Sequence, residues 1–169
     1  MEQVDIKFQY TEKEYAKAVR KYLVFTDTVK KLDLGIAVIG VPCTLAYLFL
    51  SSFGWFSILL LVCAALFSGF IGFQYLYAPV LTFRKTPKFQ EEYHLTFTEE
   101  GILFETATIH SEIKWDAYKK FWESEDCYYL EQELHIYTIL PKRAFKGEPE
   151  KMAFERMAEA GTEYNKRKI

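Results

Sequence analysis

Between Leu34 and Phe83 the chain contains no aspartate, glutamate, lysine or arginine. A buried core helix has no use for so long a charge-free run. One bilayer-crossing helix takes about 20 apolar residues, so the run accommodates two. Cysteine is scarce: Cys43, Cys63 and Cys127 show neither the paired spacing of a disulfide framework nor a zinc pattern. Cys127, in the polar part, suits a reducing compartment. Positive charge is not in excess either. The net charge is −2 and no region is strongly basic, which argues against a nucleic-acid partner. Residues 1–33 lack the early apolar stretch of a signal peptide, so the first membrane helix is expected to act as its own insertion signal.

Catalytic signatures are missing as well. There is no glycine-rich phosphate loop, no serine elbow and no His-Glu-x-x-His element. His94, His110 and His135 follow no ligand spacing and read as solvated or edge histidines rather than metal ligands. Cys127 has no sequence neighbour that marks it as a nucleophile. Glu123, Glu125 and Asp126 read as a solvated hairpin tip rather than an acid–base pair. No enzyme activity, cofactor or metal is expected. Inside the apolar run only cysteines and tyrosines can ionise, which argues against a pump.

What is present is ordered along the chain. Val4, Ile6, Phe8 and Tyr10 alternate with polar residues, the period of a half-buried strand. Thr11 and Glu14 form a capping-box pattern that opens a helix to about Phe25, whose Tyr15, Val19, Tyr22 and Leu23 share one face. That face is expected to pack on protein, since Glu12, Glu14 and Asp27 make a poor lipid-binding helix. The apolar run predicts membrane helices at 29–50, with Pro42 inside, and 55–77, ended by Pro79 and joined by a turn at 51–54. Ala64, Ser68 and Gly72 stand four apart, a small-residue stripe that lets helices approach. Lys30 and Lys31 precede the hairpin and Arg84, Lys85 and Lys88 follow it, which places both termini in the cytosol. From Tyr93 to Leu140 six short strands follow, then a helix opened by Glu148-Pro149-Glu150 and a frayed basic end, Lys166-Arg167-Lys168. The expected organisation is a strand and amphipathic helix over 1–28, a two-helix transmembrane hairpin over 29–80 and a cytosolic β-rich domain over 89–169. The fold class is a membrane hairpin plus an α+β domain, a small antiparallel β barrel or sandwich capped by a C-terminal helix.

Three features resemble the YcxB-like family of small bacterial membrane proteins: the order of the elements, the stretch Ile113-Lys114-Trp115-Asp116, and the corner Ile139-Leu140-Pro141-Lys142-Arg143-Ala144-Phe145. The resemblance implies a pleckstrin-homology-like β domain and residence in the bacterial cytoplasmic membrane as a multi-pass protein. It supplies no functional residues, because the family has no established activity. The residues themselves nominate one candidate contact. Lys142 and Arg143, with Arg84, Lys85 and Lys88, form the basic clusters expected to face anionic headgroups. The expected role is a membrane-anchored binding or scaffold protein whose partners are the bilayer and another membrane or cytosolic protein. The alternative is a toxin-immunity or stress protein acting through its hairpin.

Overall fold

The computed structural model describes residues 3–26, 28–50, 54–132, 136–162 and 164–168, the last segment by its backbone alone. His135 and most of the expected 51–54 turn lie outside the described residues. The chain divides into two compact units, Met1–Thr11 with Thr86–Ile169, and Glu12–Lys85.

The second unit is helical. Helix α1 (Glu12–Phe25) has Glu12 and Glu14 in its first turn, where the helix dipole favours negative charge. It buries Tyr15, Ala16, Ala18, Val19 and Tyr22. The Tyr15 ring lies 5.5 Å from Phe83, so its apolar face packs on protein. Helices α2 (Lys31–Leu50) and α3 (Trp55–Gly72) pack on each other. The better-covered positions recur at alternating steps of three and four: Leu34, Ala37, Val41, Thr44 and Leu48 on one, Ser57, Leu61, Ala64, Ser68 and Ile71 on the other. That spacing is a coiled-coil seam. Ser68 donates its hydroxyl to the Ala37 carbonyl across it at 2.8 Å, and Thr44 turns its own back to Gly40 and Val41. Ala64 and Ser68 of the small-residue stripe lie on this seam. A Cβ at Gly72 would meet nothing within 4 Å, so close approach does not depend on it.

The second long helix does not stop at Pro79. It passes through a π-helical turn (Phe73–Tyr77) into α4 (Ala78–Lys85), a continuous run of 31 residues from Trp55. A proline removes the amide that would bond four residues back and crowds that carbonyl. The wider π turn absorbs the ring, and Arg20 of α1 supplies donors, Nε to the Tyr75 carbonyl at 3.0 Å and Nη2 to that of Leu76 at 2.7 Å.

The first unit holds two four-stranded sheets. One has the order β1 (Val4–Gln9), β2 (Glu92–Phe97), β3 (Gly101–Glu105), β4 (His110–Lys114), every neighbour antiparallel. The N-terminal strand thus joins the β domain across the length of the helical unit, with Val4 opposite Phe97 and Gln9 opposite Glu92. The other has the order β7 (Tyr137–Pro141), β6 (Cys127–Gln132), β5 (Tyr118–Glu123), β8 (Tyr164–Lys168). Strand β8 runs parallel to β5, where a frayed tail was expected. The sheets do not close into a barrel: among the described residues no ladder joins β4 to β5. The short 3-10 turn Trp115–Ala117 redirects the chain between them and is pinned by the Trp115 indole N–H donating to the Thr98 carbonyl at 2.8 Å.

Helix α5 (Glu148–Gly161) closes the unit. Its Phe154 is fully buried, with its ring 4.7 Å from Phe97 of the first sheet, 5.7 Å from Phe121 and 5.2 Å from Tyr128 of the second, and 5.3 Å from Phe145. Edge-on and tilted contacts of this kind add to the area each ring buries. Gly161 ends the helix under Trp115, where any Cβ would lie 2.4 Å from that side chain's own Cβ. Only glycine permits that approach.

Candidate functional site

The basic corner begins where β7 ends. Pro141 has no amide to continue a ladder, and Lys142–Ala144 turn as a single 3-10 loop. The Lys142 amide donates to the Asp126 carbonyl at 2.9 Å, which lays the corner against the β5–β6 turn. Glu123 there is not part of a solvated tip. It is half-buried, and its Oε1 takes the Lys142 ammonium at 2.6 Å. The same ammonium stands 4.8 Å from the centre of the Tyr128 ring. Arg143 is exposed, yet its Nη2 donates to the Gln9 carbonyl at 2.8 Å, at the end of β1. The Tyr10 hydroxyl donates to the Ile139 carbonyl beside it. Phe145 drops into the aromatic core. The corner therefore ties the first strand's exit to the second sheet.

The remaining basic candidates are placed differently. Arg84 lies in the last turn of α4 and forms a two-point pair with Glu12, Nε to Oε2 at 2.6 Å and Nη2 to Oε1 at 3.0 Å. The guanidinium holds the Glu12 carboxyl below the usual glutamate range. Lys85 and Lys88 are exposed, and Lys88 lies 5.1 Å from the Phe89 ring centre. The basic residues are thus distributed between the two units, and no single cluster of all five is described.

Reading along the strands missed two constellations. His94, Glu105 and His110 form one row across β2, β3 and β4, with His94 Nδ1 at 3.2 Å and His110 Nδ1 at 2.9 Å from the two oxygens of Glu105. Strand register alone reveals that row. Among the described residues no group of three or more histidines, cysteines or carboxylates is placed to hold a metal ion. Glu131, 3 % exposed, accepts from the Trp122 indole N–H at 2.9 Å and from Lys120 at 3.2 Å. Burial of that carboxylate is compensated by both donors. Cys127 is buried, whereas Cys43 and Cys63 are exposed on their helices. A cleft of about 310 Å³ lies beside Trp115 and Gly161, with Glu99, Glu100, Asp116 and Lys114 at its rim.

The family model described as YcxB-like protein matches residues 97–152, from the end of β2 into α5. This stretch is YcxB-like. It contains both Trp115, which packs on Gly161, and the Pro141–Phe145 corner, whose Arg143 reaches the Gln9 carbonyl of β1. No curated protein and no solved structure matches the chain.

Proposed function

We propose that the chain is a membrane-anchored binding or scaffold protein. Its helical hairpin crosses the cytoplasmic membrane of a bacterium with both termini in the cytosol, and its β unit recognises a protein or lipid partner. The observation that carries the reading is the exposure of the hairpin's apolar side chains. Val38 is 74 % exposed, Phe49 86 %, Leu50 89 %, Trp55 78 % and Leu66 69 %. The core helix of a water-soluble protein hides such residues, and a patch this large needs lipid or protein against it. The helices have the length for it, at 20 and 31 residues. The small or hydroxyl-bearing Ala37, Thr44, Ser57, Ala64 and Ser68 on their seam suit helix packing in lipid. Lys30, Lys31, Arg84, Lys85 and Lys88 favour the cytosolic side. A first sheet of four strands, a second sheet and a closing helix support a pleckstrin-homology-like reading of the β unit. In that reading the hairpin is inserted between its first two strands.

Two measurements test this. The chain should stay in the membrane pellet under alkaline carbonate. Reporters fused after Ile169 and within 51–54 should report cytosol and periplasm respectively. Release by carbonate would end the membrane reading, and a periplasmic C-terminus would reverse the orientation.

A further inference from the structure

The chain passes between its two units at only two places, Thr11–Glu12 and Lys85–Thr86. Glu12 is the first residue of the helical unit, Arg84 the last but one, and the two-point pair between them clasps these crossings side by side. The clasp lies at the surface, with the Arg84 side chain 65 % and the Glu12 side chain 37 % exposed. Water and salt reach it, so its hold is modest. A guanidinium that grips a carboxylate at two points offers the same fork to a phosphate. Arg84 is also the last residue but one of the 31-residue helix, with Lys85 beside it. A span ending near Tyr77 leaves it about 10 Å further along the helix, a gap that a snorkelling arginine closes towards the headgroups. Lys142 is the contrasting case, because its ammonium is shielded between Glu123 and the Tyr128 ring.

We propose that Arg84 is an exchangeable ligand: it holds Glu12 where anionic lipid is scarce and binds the phosphate of an anionic phospholipid headgroup, with Lys85, where it is abundant. Headgroup binding opens the clasp and frees the two crossings from each other. The exchange rests on the membrane reading above, which the carbonate assay decides separately. A chain that stays in the pellet but fails the test below loses only the exchange.

The test is lipid binding by the full chain in neutral detergent, by native mass spectrometry with phosphatidylglycerol and phosphatidylcholine as probes. Wild type should prefer phosphatidylglycerol. Arg84→Gln should weaken that binding about fivefold, the value of one cation near a headgroup. Glu12→Gln should strengthen it by a similar factor, and that gain should vanish in the Arg84→Gln background, because Glu12 competes only through Arg84. Arg84→Lys, which keeps the charge but loses the fork, guards against misfolding and should also blunt the Glu12→Gln gain. Equal gains in both backgrounds would reduce Glu12 to a distant charge and overturn the exchange. So would equal binding of the two lipids. Displacement of phosphatidylglycerol by soluble glycerol phosphate would assign the site to a free phosphate and overturn the lipid assignment.

Discussion

Lys142 and Glu123 hold opposite charges at 2.6 Å with little water about them, their side chains 20 % and 14 % exposed. Each makes the other's burial tolerable. Lys142→Met strands the Glu123 carboxylate and should cost about 2–3 kcal/mol, somewhat less than a fully buried pair. Changing both residues to apolar ones should recover most of it, and thermal unfolding in detergent followed by near-ultraviolet circular dichroism reads both effects. The tyrosines make a second residue-scale prediction. Burial pushes Tyr93 and Tyr137 up to about 12, and Tyr128 and Tyr129 up as well. Their unfolded value is about 10. Keeping them protonated therefore stabilises the fold fully below about pH 10, and that contribution is lost as pH rises towards 12. An ultraviolet titration should show a subset of the twelve tyrosines ionising late and together with unfolding. Twelve independent ionisations near pH 10 would contradict the burial.

Helix α1 supports the long apolar helix at its proline through one side chain. Arg20 donates to the carbonyls that the Pro79 region leaves short of amides. Arg20→Ala should cost about 1.5–3 kcal/mol, as hydrogen bonds from a charged donor do. Pro79→Ala should lessen that cost, because a restored amide takes up the Tyr75 carbonyl. Equal losses with and without Pro79 would separate the two features. Strand β1 makes the other prediction at this scale. Its hydrogen bonds cover the edge of β2, so residues 86–169 alone expose that edge and should aggregate. Joining 1–11 to 86–169 through a short linker, without the helical unit, should give a soluble, mainly β monomer. Equal solubility of the two chains would make β1 dispensable.

At the scale of the whole molecule, the β unit is interrupted by the helical one. Strand β1 is made first, yet its partner β2 follows the entire hairpin, so the first sheet cannot pair until both long helices have been synthesised. The periods were legible in the amino-acid order: two-residue alternation marked β1 and β2, short strand-like segments marked β3 to β7, and the charge-free run marked two long apolar helices. These follow from where each successive side chain points, which is local. The start of α5, Glu148-Pro149-Glu150, was legible for the same reason. The partners were not. Alternation gives a strand's faces and never its neighbour, so the joining of β1 to β2 waited for the fold. The basic tail, with no alternation, concealed a parallel edge strand. Pro79 read as a stop because the sequence could not show Arg20 standing by to satisfy the carbonyls. The acidic partners of Lys142 and Arg84 were not legible either, because charge is visible in a sequence and its counter-charge is not. Glu123 lies 19 residues from Lys142, Glu12 lies 72 from Arg84, and only tertiary packing sets such pairs 2.6 Å apart.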